Sequence, residues 1–132
     1  MDRQVVWGFL GAAGIAEKNW ASVQRSGNGI LKFVGSRDVA KAQAFVDRCQ
    51  ASAPFEKAPK AVEGYEEILA DPEIDAVYIP LPTGLRKDWV IRAAEAGKHV
   101  LCEKPCAPEA ADLEEMIAAC EANQVQFMDG VM

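Results

Sequence analysis

The sequence predicts an α/β fold in which a doubly wound, mostly parallel sheet lies between two layers of helices. Short apolar segments alternate with helical segments along all 132 residues. Such alternation is typical of right-handed βαβ units, which place successive strands parallel in one sheet. In addition, the segment from Ala76 to Ile79 is apolar throughout, as expected for a strand that helices cover on both faces.

The first half of the chain contains two strand–helix units. In order, we expect a strand over 4–10, a glycine turn over 11–14, a helix over 15–25, a strand over 30–35 and a helix over 39–50. Asp38 is suited to cap the second helix, because its short side chain can accept a hydrogen bond from a free N–H of the first turn. The apolar residues of that helix recur at helical spacing, at Ala42, Phe45, Val46 and Cys49.

The second half continues the alternation. After a loop over 52–60, we expect a short strand near 61–62, a short helix over 65–69, a strand over 76–79, a rigid loop over 80–84, a helix over 85–96, a strand over 99–102, a helix over 108–123 and a strand over 125–131. Gly97 is expected to end its helix, and Pro108 suits a first helical turn. No internal repeat or linker interrupts the pattern, so residues 1–132 are predicted to form a single domain.

Composition and charge argue against several classes of partner and site. Hydrophobic residues make up 50% of the chain and the net charge is −6, whereas nucleic acids and anionic membranes attract basic surfaces. No apolar stretch approaches the ~20 residues that cross a bilayer, and no signal peptide is visible. The four cysteines form no CxxC pair, and no cluster of His, Cys or carboxylates has metal-ligand spacing. We therefore expect reduced thiols, no metal and a cytoplasmic protein.

The first strand–turn–helix is a candidate phosphate-binding site. A dinucleotide fingerprint has the form GxGxxG/A at this place, and here the register gives Gly11-Ala12-Ala13-Gly14-Ile15-Ala16. Gly11 can make the tight turn, and Ala16 permits close packing of the helix on the sheet. Ala13 replaces the middle glycine that lets backbone approach a pyrophosphate, although Gly14 supplies part of that freedom. The N–H groups at the helix start could bind phosphate, but a tight turn without a ligand fits this degraded motif equally well.

The end of the second strand favours NADP over NAD. An acidic residue commonly holds the ribose 2′-hydroxyl of NAD at this place, whereas this chain has Ser36 and Arg37. The planar guanidinium of Arg37 can pair with a 2′-phosphate, Ser36 can donate its hydroxyl, and Lys41 adds charge from the next helical turn. The alternative is that Arg37 is a surface residue paired with Asp38.

Two further segments follow strands at the same predicted edge of the sheet. Pro80-Leu81-Pro82-Thr83 is a rigid loop whose wall would suit a flat nicotinamide ring, although a stiff surface connection explains it as well. Glu103-Lys104-Pro105 follows the strand over 99–102, where ligands bind in open α/β sheets. The proline stiffens the turn that presents Lys104. His99, the only histidine, starts that strand at the opposite edge and is expected to be structural.

Together these segments resemble the N-terminal domain of the Gfo/Idh/MocA oxidoreductase family. The similarity covers Gly8 to Ala16, Gly35 to Arg37, Asp71 to Thr83 and Ala96 to Pro105, and the last stretch is the most specific. The sequence is most similar to the branch of NADP-dependent dihydrodiol and D-xylose dehydrogenases. The resemblance implies a Rossmann fold and an oxidoreductase that acts on CH–OH groups with NADP.

The resemblance also implies residue roles. Lys104 would be catalytic, lying beside the nicotinamide and the substrate hydroxyl, where it orients the hydroxyl or helps to transfer its proton. Glu103 would contact the nicotinamide ribose, and Pro105 would shape the turn. Pro82 and Thr83 would border the nicotinamide.

This chain departs from the family pattern at two points. Arg86 stands where the family usually has a histidine, and the chain ends where a second α/β domain with most of the substrate contacts would begin. A sugar or diol substrate is therefore expected only with a second domain, and the chain alone is expected to be inactive.

Three hypotheses remain open at the level of sequence. The chain is an NADP-binding domain of a sugar or diol dehydrogenase, a non-catalytic module that senses a dinucleotide or binds a protein, or a fragment of a longer protein. A sheet edge left exposed by the missing domain could recruit a partner or promote a homo-oligomer.

Overall fold

The computed structural model describes residues 4–103 and 110–129, apart from the side chains of Thr83 and Asp129. Strands and helices alternate throughout this part of the chain. In order, the elements are β1 (Val5–Leu10), α1 (Ala16–Arg25), β2 (Gly29–Ser36), α2 (Val39–Ser52), β3 (Lys60–Glu63), α3 (Glu66–Ala70), β4 (Ala76–Ile79), α4 (Thr83–Glu95), β5 (His99–Cys102), α5 (Ala110–Ala122) and β6 (Phe127–Asp129).

The strands form one sheet in the order β3-β2-β1-β4-β5-β6, and every neighbouring pair is parallel. This order is that of the dinucleotide-binding Rossmann fold, and it confirms the predicted doubly wound sheet. The chain runs outward in one direction from β1 to β3 and in the other from β4 to β6. The carboxyl ends of β1 and β4 therefore meet at the point where the order reverses, which is where such sheets bind ligands.

Two apolar cores lie on opposite faces of the sheet, as the three-layer prediction requires. Because successive strand residues point to opposite faces, Phe9 packs beneath α1 and α2, whereas Leu10 packs beneath α4 and α5. Trp20 anchors the first core with an edge-on contact to Phe45 at 5.8 Å between ring centroids. Met116 of α5 is fully buried in the second core.

The predicted start of α4 at Leu85 is wrong by two residues, because Thr83 and Gly84 belong to its first turn. Leu85 N–H donates to the carbonyl of Pro82 at 2.9 Å, which closes that turn. Pro82 precedes the helix with φ −53°. A proline is tolerated there because an N–H at the start of a helix has no intrahelical acceptor. The loop after β4 is consequently shorter than expected and ends at Pro82.

The predicted start of β6 at Val125 is also wrong, because the strand begins at Phe127. Gln124 adopts a left-handed conformation with φ 58°, and Val125 N–H still donates to the carbonyl of Cys120 at 3.0 Å. These two residues thus form the turn that follows α5 and hydrogen-bond back to its last turn. The predicted N-cap of α2 is confirmed, since the Asp38 carboxylate accepts a hydrogen bond from Ala40 N–H at 3.0 Å.

No helix within residues 4–103 and 110–129 is long and apolar enough to cross a membrane.

Candidate functional site

Gly11 brings three of the predicted site segments together at the carboxyl edge of the sheet. Its N–H donates to the carbonyl of Gly35 at 3.0 Å, which links the end of β1 to the end of β2. A Cβ at this position would lie 3.3 Å from both Pro80 and Leu81, so the glycine turn packs directly on the double-proline loop. Gly11 also has φ +132°, which side chains rarely adopt. The backbone conformation therefore favours glycine here, and the close contacts leave little space for a side chain.

The turn after Gly11 presents backbone to solvent at the start of α1. Ala13, Gly14 and Ile15 are exposed, and a Cβ on Gly14 would meet nothing within 4 Å. The first turn is closed by Ala16 N–H, which donates to the carbonyl of Ala13 at 2.9 Å, and no side chain caps it. Ala16 is fully buried against the sheet, as predicted for close packing of the helix. An anion can thus approach the free helix start without a steric barrier.

Two exposed cations follow β2, with Arg37 directly after the strand and Lys41 in the first turn of α2. Ser36 is partly buried, and its hydroxyl accepts a hydrogen bond from Asp38 N–H at 3.2 Å. The Asp38 carboxylate caps α2, and no ion pair between it and Arg37 is found in the described ranges. This arrangement argues against the alternative in which Arg37 serves only to neutralise Asp38.

Glu103 connects the end of β5 to its surroundings through three different groups. Its N–H continues the ladder by donating to the carbonyl of Ile79 at 3.2 Å. Its carboxylate accepts a hydrogen bond from the Tyr78 hydroxyl at 2.5 Å. Its carbonyl accepts a hydrogen bond from Arg86 Nη1 at 2.7 Å. This residue is therefore fixed at the edge where the predicted nicotinamide segments lie.

Arg86 is a buried cation, with only 6% of its surface exposed. Besides Glu103, it reaches the double-proline loop, because Nε donates to the carbonyl of Leu81 at 2.5 Å. Pro80 and Leu81 of that loop are buried, and Pro82 is exposed. Arg86 thus ties the loop after β4 to the end of β5.

Tyr78 is fully buried between its neighbours. Its ring contacts Phe9 edge-on at 5.0 Å. Burial raises the pKa of Tyr78 well above its usual value, and so do the hydrogen bond to Glu103 and the negative charge of that residue, while Asn19 and Arg86 act in the opposite direction. The phenol is therefore neutral across the physiological range and donates its proton to the carboxylate.

Sequence reasoning did not assign a role at this edge to Tyr78 or Asn19, and it noted Arg86 only as a departure from the family. The sequence nevertheless contains a signal for Arg86 and for Tyr78. Arg86 precedes the buried Val90 by one helical turn, so it lies on the buried face of α4. Tyr78 places a hydroxyl inside an apolar strand, where a buried O–H needs a partner. Lys104 and Pro105, the remaining predicted residues, lie outside the described residues, and Thr83 is described only as the first residue of α4.

The opposite edge of the sheet carries a second buried cation. Lys98 is 4% exposed, and its Nζ donates to the carbonyls of Asp71 at 2.6 Å and Ile74 at 2.9 Å. Burial lowers the pKa of Lys98, while Asp71 and Asp75 act to raise it. His99 is adjacent, and its Nδ1 accepts a hydrogen bond from Gln126 N–H at 3.0 Å, as expected for a structural residue. Across the described residues, no group of three His, Cys, Asp or Glu side chains is placed to hold a metal ion.

Comparison with known proteins identifies close relatives. A family model described as "Oxidoreductase family, NAD-binding Rossmann fold", GFO_IDH_MocA, matches residues 5–131. The chain is 39% identical over 128 residues to "D-xylose 1-dehydrogenase (NADP(+)) 2" of Haloferax volcanii, covering 97% of this chain and 37% of that protein. It is 38% identical over 96 residues to a trans-1,2-dihydrobenzene-1,2-diol dehydrogenase of Xenopus laevis, covering 73% of this chain and 27% of that one.

A solved structure gives the same picture of the fold. KijD10, a 3-ketoreductase from Actinomadura kijaniata determined with NADP and TDP-benzene, superposes with a TM-score of 0.85 at 29% identity. The match covers 97% of this chain and 37% of KijD10. The D-xylose dehydrogenase and KijD10 both match almost all of this chain. The chain thus spans little more than a third of the length of either protein.

Proposed function

The chain belongs to the Gfo/Idh/MocA oxidoreductase family, as its NAD-binding Rossmann domain, and we propose that it binds NADP for hydride transfer to or from the secondary alcohol of a sugar or diol. NADP, the cofactor expected from the sequence, is the one that the relatives support, because it is named in the D-xylose dehydrogenase and bound in KijD10. The sugar or diol substrate is proposed from the named activities of the relatives. Binding of such a substrate would also require residues beyond those of this domain.

The position of Gly11 is the observation that carries the proposal. This residue contacts the end of β2 through Gly35 and the double-proline loop through Pro80 and Leu81. The segments expected to bind the adenosine, the pyrophosphate and the nicotinamide therefore form one continuous edge in the order that an extended dinucleotide needs. In a doubly wound sheet this edge lies at the reversal of strand order, where dinucleotides bind.

The charges at the end of β2 suit a 2′-phosphate. Arg37 and Lys41 are exposed cations, and the nearby carboxylate of Asp38 is already used to cap α2. Arg37 would pair with the 2′-phosphate through its planar fork, and Ser36 would contribute its hydroxyl. A ribose-binding acid of the kind that selects NAD is absent from positions 36 and 37.

The exposed turn at the start of α1 suits the pyrophosphate. Ala13, Gly14 and Ile15 would offer backbone N–H groups, which a phosphate can reach because no described atom lies within 4 Å of a Cβ built on Gly14. The positive end of the helix dipole adds a favourable field. Ala16 contributes indirectly, because its small side chain lets α1 lie close to the sheet.

The double-proline loop and the end of β5 would receive the nicotinamide half. Pro80, Pro82 and Thr83 would form a rigid wall beside the ring, and Glu103 would accept a hydrogen bond from the nicotinamide ribose. Glu103 retains this capacity because a carboxylate has two oxygens and Tyr78 donates to one of them. When bound, NADP supplies the hydride acceptor or donor of the reaction.

Lys104 and Pro105 follow Glu103 in the sequence. In this proposal Pro105 stiffens the turn, and Lys104 orients the substrate hydroxyl and helps to move its proton as the alcohol is oxidised. Holding the alcohol close to the nicotinamide is itself a large part of the rate enhancement. The residues that hold the substrate would come from outside this domain, so the domain by itself is expected to bind the cofactor without turning over substrate.

Cofactor titration tests this function. NADPH and NADH are added to the 132-residue chain, and the intrinsic tryptophan fluorescence is recorded. We expect saturable binding of NADPH and weaker binding of NADH. Arg37→Ala should weaken NADPH by about tenfold, the value of a charge-assisted pair at about 1.4 kcal/mol, and NADH by less than about twofold.

Arg25→Ala provides the matched control, because Arg25 is an exposed arginine at the other end of α1. It should leave the affinity for both cofactors unchanged. Absence of any saturable signal at millimolar NADPH would contradict the proposed function. Equal losses for NADPH and NADH in Arg37→Ala would contradict the 2′-phosphate role alone.

A further inference from the structure

Glu103 is held from both faces of the sheet, an arrangement that the proposed cofactor contacts do not require. From the face of α1 and α2, the buried Tyr78 donates its hydroxyl to the carboxylate at 2.5 Å. From the face of α4 and α5, Arg86 donates to the carbonyl at 2.7 Å. Together with the ladder bond from its N–H to Ile79, these contacts fix the nitrogen, the carbonyl and the side chain of one residue.

Arg86 bridges two segments that are distant in sequence. Its Nε and Nη1 donate to the carbonyls of Leu81 and Glu103, 2.5 Å and 2.7 Å away, and these acceptors lie on the two walls of the proposed nicotinamide pocket. Burying a cation is unfavourable unless its donors are satisfied. The planar fork of arginine can satisfy two acceptors at a fixed separation, which the point charge of a lysine does less well. The geometry of the fork therefore sets the spacing of the two walls.

Tyr78 connects Glu103 to the other half of the site. Its ring packs on Phe9, which lies in β1 two residues before Gly11. Because its pKa is raised by burial and by Glu103, the phenol donates to the carboxylate throughout the physiological range. Its hydroxyl is buried and engaged with Glu103, so the contact with the cofactor falls to Glu103 rather than to Tyr78.

We propose that Tyr78 and Arg86 are positioning residues, which hold Glu103 and the loop over 80–82 in the arrangement that receives the nicotinamide half of NADP. They act through backbone and carboxylate partners and do not contact the cofactor. This inference rests on the proposed function. It predicts that their loss affects the nicotinamide half of the ligand selectively, because Ser36, Arg37 and Lys41 bind the other half independently.

Two ligands separate the halves of the site. NADPH carries both halves, whereas adenosine 2′,5′-bisphosphate carries the adenine and the 2′-phosphate without a nicotinamide. Dissociation constants for both are measured on the 132-residue chain by calorimetry. We expect Arg86→Gln to weaken NADPH by about tenfold and Tyr78→Phe to weaken it by about threefold, in line with the loss of one or two hydrogen bonds. Both variants should bind the bisphosphate within a factor of about two of the original chain.

Arg92→Gln is the matched control, because it makes the same change on the same helix at an exposed arginine that lies over Trp89 at 4.6 Å. It should change neither constant. Circular dichroism checks that each variant is folded. If Arg86→Gln does not fold, Tyr78→Phe decides the question, since it removes one oxygen and keeps the packing of the ring.

Each remaining outcome has a defined meaning. Equal weakening of both ligands in Tyr78→Phe, or in folded Arg86→Gln, would overturn the inference in favour of a general structural role. Unchanged NADPH affinity would overturn it as well. If the original chain binds neither ligand, the proposed function fails and the inference fails with it. Binding of both ligands by the original chain without selectivity in the variants overturns the inference alone.

Discussion

Arg86 and Lys98 are two buried cations at opposite edges of one sheet, and in both the buried charge is stabilised by hydrogen bonds to backbone carbonyls. Each is less than a tenth exposed and, among the described residues, donates to the carbonyls of two others. The partners of Lys98 lie within one short segment that leads into β4. The partners of Arg86 belong to two separate segments that converge on the proposed cofactor site. The same type of hydrogen bonding therefore holds the segment that leads into β4 at the amino edge and supports the proposed cofactor site at the carboxyl edge.

The largest expected effect comes from removing the cation of the amino edge. Lys98→Met keeps the aliphatic stem but removes the ammonium that donates to the carbonyls of Asp71 and Ile74, of which Asp71 keeps the N–H of Ile74 as a donor. We expect the free energy of unfolding to fall by about 3 kcal/mol. Urea denaturation measures this free energy of unfolding. Lys57→Met, at an exposed lysine, is the control and should change it by less than about 0.5 kcal/mol.

The ligand affinities of folded Lys98→Met test whether the two edges of the sheet act independently. At a temperature where the variant is folded, its affinities for NADPH and adenosine 2′,5′-bisphosphate should equal those of the original chain. Selective loss of NADPH would mean that the amino edge also shapes the site, and the contrast between the two edges would then be wrong.

The second effect concerns the glycine that joins the site segments. Gly11→Ala forces a side chain into a backbone with φ +132°, against Pro80 and Leu81 at 3.3 Å. We expect a loss of stability of about 2 kcal/mol, because strained backbone of this kind typically costs 1–3 kcal/mol, together with loss of measurable NADPH binding.

Gly84→Ala is the control for the Gly11→Ala substitution. Gly84 lies in the first turn of α4, and a Cβ there would meet nothing within 4 Å. Alanine at this place should raise the stability by about 0.5 kcal/mol, because it restricts the unfolded chain. The two variants are compared by thermal denaturation and NADPH titration. Equal stabilities would show that the backbone at position 11 accommodates alanine without the strain expected from its φ angle.

The smallest effect concerns an ion pair at the amino edge. The hydrogen bond from Lys32 lowers the pKa of Asp71, and the N–H of Glu73 contributes in the same direction. A carboxylate whose folded pKa is depressed stabilises the protein above its unfolded pKa, and this contribution disappears as the pH falls through the folded value. Asp71→Asn should therefore lower the melting temperature at pH 7 by about 2 °C.

The pH dependence distinguishes this mechanism from simple loss of packing. The difference in melting temperature between Asp71→Asn and the original chain should shrink below the ordinary pKa of 3.8 and vanish in stronger acid. A difference that persists unchanged at acid pH would exclude the charge as its cause.

The pattern of the sequence predicted the fold because each strand and helix is marked locally. The six strands and five helices of the described residues all lie where alternating apolar segments were found. The errors fall at the ends of elements. Gly84 is typical of a loop but lies in a helix, since the bond between Leu85 and Pro82 closes the turn around it. Val125 is a good strand residue but lies in the turn after α5, where its N–H donates to the carbonyl of Cys120.

The candidate site was predictable only where backbone conformation or a motif marks it. Gly11 is required by its own φ angle, and Arg37 stands at a position defined by the end of a strand. Arg86 donates to the carbonyl of Glu103, which lies 17 residues away in the sequence. Lys98 donates to the carbonyl of Ile74, which lies 24 residues away. Because any residue has a carbonyl, nothing in the sequence identifies these partners. The three-dimensional path of the chain is needed to find them.

The assignment of the cofactor to the carboxyl edge is tested most directly by mapping NADPH onto the backbone. Amide chemical shifts of the isotopically labelled 132-residue chain are recorded during a titration with NADPH. If NADPH binds at the carboxyl edge, the changes should be confined to residues 11–16, 35–41, 79–86 and 102–104, with the amides of 71–75 and 97–99 unaffected. Changes centred on the segments around Lys98, or none at saturating cofactor, would contradict it.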